Sequence, residues 1–191
     1  MKKDSDPGSP SSAAPAGARR LVLRFLGVFT AIMAAFYVVW VLPPVREDLF
    51  PHYLHWNAAA SAFVLRLLGH AAQASGEFLR TPEFSLQVGR GCDAVQPTML
   101  FLAALIALPA ARRRKVQGAL AGTALLLGLN LIRIVSLFLI GLYRPNLFHL
   151  MHVDVWQSVF IFVALLLWLL WALWAFRPAA SAPAASTERE A

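Results

Sequence analysis

Apolar residues in this chain run in long blocks. Residues 21–42, 116–139 and 156–176 are each long enough to cross about 30 Å of hydrocarbon at roughly 1.5 Å per residue. A fourth block, 94–111, is near the lower limit for a span. Residues 57–73 are largely apolar but carry Arg66, His70 and Gln73 at i, i+4 and i+7, the stripe of an amphipathic helix. From Glu83 to Val88, polar and apolar residues alternate with the period of a short strand, and Gly89 and Gly91 then precede Cys92. The pattern predicts an all-α polytopic membrane protein of about four transmembrane helices, with an outer amphipathic helix and a strand-like segment before Cys92.

Composition agrees. Apolar residues make up 59% of the 191, and the mean hydropathy is +0.61, above what one soluble core requires. Residues 1–18 and 178–191 are rich in Ser, Pro, Ala and Gly and are expected to be disordered cytoplasmic tails around one membrane domain, 19–177. The first apolar block follows Arg19, Arg20 and Arg24 but exceeds a signal-peptide core, and Pro43-Pro44 follows it with no small-residue cleavage pattern. It is read as a retained anchor.

The net charge of +7 does not point to nucleic acid, because the cations flank apolar blocks. They give an orientation instead. The run Arg112-Arg113-Arg114-Lys115, placed in the cytoplasm with both tails, leaves Arg46, Arg66, Arg80, Arg90 and Arg144 outside, balanced by acids. A fifth span at 57–73 would export that run, so this segment is placed on the outer surface or tucked among the spans.

Three positions could carry chemistry. Cys92 is the only cysteine, so no internal disulfide can form. It precedes a helix start in which Asp93 is the expected N-cap, Gln96 lies three residues on and Pro97 falls in the first turn. Helix N-terminal amides favour a thiolate, and the Asp93 carboxylate opposes it. Arg133 lies inside an apolar run, where a central arginine costs about 2.5–3.5 kcal/mol and requires a partner, a wet cavity or a nearby interface. Asn130 and Ser136, three residues to either side, complete a polar stripe. His149 and His152 fall in a short outer segment, on the side assigned to Cys92, and either could act as a base near neutral pH.

Gly118 and Gly122 form a small-xxx-small pair for helix packing. No clustered metal-ligand pattern, phosphate-binding loop or serine-nucleophile elbow is present, so no metal or cofactor is expected. A cysteine, a histidine and an arginine suit acyl transfer. Two other readings remain open on the residues alone: a scaffold or small transporter binding through Arg133 and Asn130, and acyl transfer to lipid.

The segments Gly91-Cys92-Asp93-Ala94-Val95, Asn130-Leu131-Ile132-Arg133-Ile134 and His152-Val153-Asp154-Val155-Trp156 together resemble the exosortase/archaeosortase family, most closely its compact exosortase H type. The resemblance implies a thiol peptidase and transpeptidase of the bacterial inner membrane, with its active site on the periplasmic face. Its partners would be membrane lipid and exported proteins ending in a sorting motif, a membrane helix and a basic tail. Cys92 would be the nucleophile, and Arg133 and His152 the other catalytic residues. Beside them Asn130, Asp93 and His149 are expected to bind substrate. Many members carry Ser-Gly after the cysteine, where this chain has Asp93-Ala94.

Overall fold

The computed structural model describes residues 16–177. The expectations for residues 1–15 and 178–191 lie outside the described residues; residues 16–18, expected in a tail, belong to the first helix. That helix, α1 (Ala16–Trp40), leads through a π-helical turn (Pro44–Leu49) into α2 (Phe50–Leu67). Three short strands follow, β1 (Gln73–Ser75), β2 (Phe78–Arg80) and β3 (Ser85–Gln87), then α3 (Val95–Ala107) and α4 (Arg112–Tyr143). The chain ends in α5 (Pro145–His149), a π-helical turn (Leu150–Val155) and α6 (Trp156–Ala175), which run on as one helical rod.

Among the described residues three helices are long and apolar enough to cross a membrane: α1, α4 and the Pro145–Ala175 rod. Leu23, Leu120, Leu165 and Leu173 are exposed on these helices, the inverse of a soluble surface and the expected state of side chains solvated by lipid. The fourth expected span is shorter than the apolar block suggested. With 13 residues, α3 extends about 20 Å. Pro109 disfavours helix at Leu108, which is extended at ψ 139°, and the helix stops there.

The amphipathic segment is also corrected. α2 starts at Phe50 and buries Phe50, Leu54, Ala58, Ser61, Ala62 and Leu65, one stripe at helical spacing. It ends at Leu67 because Gly69 takes φ +90° in a Schellman cap: the His70 amide donates to the Leu65 carbonyl and the Gly69 amide to that of Arg66. Hence Arg66, His70 and Gln73 share no helical face. Arg66 instead donates to the Ala72 carbonyl and ties down the turn.

The strands form an antiparallel sheet in the order β1-β2-β3, with Leu79 opposite both Ala74 and Leu86. β3 lies inside the expected 83–88 strand, whereas β1 and β2 are new. Gly76 takes positive φ at the first position of their two-residue turn, as a type II′ hairpin requires. Leu79 and Val88 sink into a core shared with Leu54 and Leu65 of α2 and Ile134 and Phe138 of α4. A second core joins Phe101 and Leu105 of α3, Leu126 of α4, and Phe160 and Trp171 of α6. Thus α4 is the common wall, its first half packed on α3 and α6 and its second on α2 and the sheet.

The two α4 glycines receive aromatic rings. A Cβ at Gly118 would lie 2.1 Å from the Trp171 indole, and one at Gly122 2.2 Å from the Phe101 ring. The basic run also closes helix ends. Arg114 donates to the Trp174 and Ala175 carbonyls at the end of α6 and to the Arg177 carbonyl just beyond it, and Lys115 donates to the Ile106 carbonyl of α3 at 2.6 Å. Cations there satisfy orphan carbonyls and complement the negative ends of both helices.

Candidate active site

The sheet delivers the chain to Cys92 through a short, tightly bonded loop. The Val88 amide still donates to the Glu77 carbonyl, and the Cys92 amide turns back to the Gly89 carbonyl at 3.1 Å. Gly91 has φ +90° and Ala94 φ +55°, so the backbone bends twice through the left-handed region around Cys92 and Asp93. The Asp93 carboxylate clamps both bends, accepting from the Gly91 amide at 3.1 Å and the Val95 amide at 2.8 Å. The Tyr53 hydroxyl of α2 donates to the Asp93 carbonyl. Ala94, not Asp93, is therefore the N-cap residue. Asp93 serves the helix start from one position earlier.

His152 comes from the other end of the chain. Its Nδ1 lies 3.3 Å from Cys92 Sγ, within hydrogen-bond reach for sulfur. The expected outer segment is helical, and His152 sits in its π-helical turn, a deformation frequent at functional sites. The imidazole stacks on Phe148, four residues earlier, with planes 11° apart and centroids at 5.7 Å. His149, one residue after Phe148, is exposed, and of the two histidines only His152 hydrogen-bonds Cys92.

Arg133 closes the group. It is 3% exposed, and one Nη donates to the His152 carbonyl at 3.3 Å while its Nε has no partner. The guanidinium faces the Phe160 ring at 5.3 Å. Asn130 is fully buried and donates to Asn57 Oδ1 of α2 at 3.0 Å, its own carbonyl oxygen unpartnered. Ser136 donates back to the Arg133 carbonyl at 2.9 Å. Arg133 lies about 30 Å along α4 from Arg112, close to one hydrocarbon thickness. The three side chains thus meet toward the end of the bundle opposite the basic run.

A family model described as Transmembrane exosortase (Exosortase_EpsH) matches residues 12–182. The chain belongs to the transmembrane exosortase family. Comparison with curated proteins and with solved structures finds no match in either set.

In this exosortase the Cys92 thiol is pushed above its ordinary pKa. Burial is the main cause; the Arg133 guanidinium works against it and the Asp93 carboxylate reinforces it. Any help from the helix N-terminus is outweighed chiefly by burial, and the Asp93 carboxylate, which already occupies the Val95 amide, adds to it. A thiol in such a place needs a base beside it to become a nucleophile. The neutral imidazole of His152 can accept a proton at Nδ1, and Arg133 brings positive charge in a dry setting where anionic oxygen could be held. Among the described residues no cluster of three His, Cys, Asp or Glu side chains could hold a metal.

Sequence reasoning did not reach Tyr53, Asn57 or Phe148 of this exosortase. Each acts across the fold or through a ring stack. Only Phe148 left a trace, its i, i+4 spacing from His152 on what proved to be a helix.

Proposed function

We propose that this exosortase is a cysteine transpeptidase that cleaves the C-terminal sorting signal of exported proteins and transfers them to an acceptor of the cell envelope. The observation that carries this reading is the 3.3 Å approach of Cys92 Sγ to His152 Nδ1, with buried Arg133 bonded to the His152 backbone. Nucleophile, base and cationic stabiliser together constitute the minimal apparatus of acyl transfer.

In the proposed reaction the Cys92 proton passes to His152 Nδ1 as the sulfur attacks the scissile carbonyl carbon. The carbonyl π pair moves to oxygen, and the resulting oxyanion is stabilised by Arg133. Collapse breaks the C–N bond, the imidazolium returns its proton to the leaving amine, and a thioester to Cys92 remains. An acceptor nucleophile, or water, then attacks the thioester and frees the thiol. Asp93 sets the loop that presents the sulfur, the exposed His149 is proposed to lie along the substrate path, and Asn130, buried against Asn57, to hold α4 on α2 behind the site.

The substrate's helix and basic tail match a bundle whose own basic end, Arg112 to Lys115, is proposed to face the cytoplasm of a bacterial inner membrane. The scissile bond then falls at the periplasmic boundary. The test is co-expression with exported reporters ending in candidate sorting signals from the encoding genome, following loss of the C-terminal helix by gel mobility. Wild type is expected to shorten a reporter and Cys92→Ala to leave it intact; equal processing by the mutant overturns the proposal.

A further inference from the structure

Beside the catalytic group lies a cavity of about 330 Å³ walled by all of β3, by Phe84 before it, by Gly141 of α4, and by Pro145 and Phe148 of α5. β3 is an edge strand, paired on one side only with β2. Hydrogen-bonded pairs alternate along an antiparallel ladder. The Val88 amide bonds Glu77 and the Thr81 amide bonds Phe84, which puts Leu86 opposite Leu79 in the same inward-bonded series. By that alternation the N–H and C=O groups of Ser85 and Gln87 point away from β2, toward the free edge.

The edge is firmly placed. Phe84 packs edge-on against Phe138 at 5.2 Å, and a Cβ at Gly141 would meet its ring at 2.3 Å. The cavity is also continuous with the chemistry, since Phe148, one of its walls, stacks on the His152 imidazole. Along the chain, Gln87 precedes Cys92 by five residues, a reach of at most about 17 Å.

We propose that β3 binds the polypeptide substrate by strand addition: the extended segment around the scissile bond pairs with the outward backbone groups of Ser85 and Gln87 and crosses Phe148 to reach Cys92. An open edge recognises an extended peptide through main-chain hydrogen bonds, with alternate side chains turned toward the groove for specificity. A peptide emerging from a membrane helix has unpaired amides to satisfy at the boundary, and this edge supplies partners for them. The inference rests on the transpeptidase reading and adds to it the site that holds the chain.

Proline separates the two claims. At 85 or 87 it removes an outward N–H while sparing the bonds to β2, and an edge strand tolerates it there. Ser85→Pro and Gln87→Pro are expected to slow reporter shortening by about tenfold or more, from a lost hydrogen bond and the ring's intrusion on the incoming strand. Glu83→Ala, in the exposed turn before β3 and outside the pairing edge, should process normally. Membrane content and maleimide labelling of Cys92 should match wild type in all three, which separates lost binding from lost folding. Normal shortening by both proline variants, with Cys92→Ala inactive, overturns strand addition alone. Shortening by Cys92→Ala, or by no wild-type protein with any reporter, overturns the transpeptidase reading and strand addition with it.

Discussion

Cys92 Sγ and His152 Nδ1 lie 3.3 Å apart although 60 residues separate them in the chain, and His149, one helical turn before His152, is exposed and makes no hydrogen bond to the sulfur. The two histidines are therefore not interchangeable. General acid–base catalysis contributes about 10²–10⁴-fold. His152→Ala is expected to slow reporter processing at least a hundredfold, and His149→Ala to stay within a few-fold of wild type. The mirror-image result would assign the base to His149.

The thiol itself gives a pH signature. Burial and the Asp93 carboxylate raise its pKa and Arg133 partly offsets them, so in the free enzyme the thiolate gains population only above the ordinary thiol range. Iodoacetamide alkylation of Cys92 should keep rising with pH beyond the point where an exposed cysteine levels off. Asp93→Asn removes a negative neighbour and should move the profile to lower pH. An unchanged profile would mean that Asp93 does not act on the sulfur through its charge.

Arg133 is the residue whose cost to the fold is easiest to separate from its use. A buried guanidinium with an unpartnered Nε is expensive, and an apolar side chain of similar volume often does as well or better for stability. Arg133→Met should melt no lower than wild type in detergent yet lose about 10²–10³-fold in processing, the loss typical when one oxyanion donor is removed. Activity retained with stability lost would make the arginine structural.

Much of this arrangement was legible in the sequence, and the failures have local causes. The long apolar blocks became helices, and the three short motifs around Cys92, Arg133 and His152 came together. The expected helix through 57–73 failed at Gly69, whose positive φ closes a Schellman cap; a glycine there, followed by His70 and alanines, was the available signal. β1 and β2 have three residues each, too few for a period of two to register. Spacing alone did not distinguish His149 from His152, and only the family likeness preferred His152, because the difference depends on a π-helical turn and on the Phe148 stack.

The departure from the Ser-Gly of many family members falls where backbone geometry matters. Ala94 holds φ +55° while 2% exposed, a conformation glycine adopts without the Cβ clash. Ala94→Gly should therefore stabilise the loop by about 1 kcal/mol, offset in part by the greater freedom of glycine in the unfolded chain. Gly91→Ala, at φ +90°, should destabilise it. A thermal shift upward for the first variant and downward for the second is the expected pair.

Two glycines on α4 offer a test of packing independent of the chemistry. Gly118 is buried with the Trp171 ring in the space of its missing Cβ, and that indole also donates to the Arg114 carbonyl at 3.0 Å, fixing it against α4. A methyl there must displace the ring or part the helices, and overpacking of this kind costs about 1–3 kcal/mol. Gly128, ten residues on and exposed, has nothing within 4 Å of the same position. There alanine only gains helix propensity, about 1 kcal/mol over glycine. Gly118→Ala should lower the melting temperature and Gly128→Ala hold or raise it. If both variants melt alike, Trp171 does not pack against α4 at Gly118.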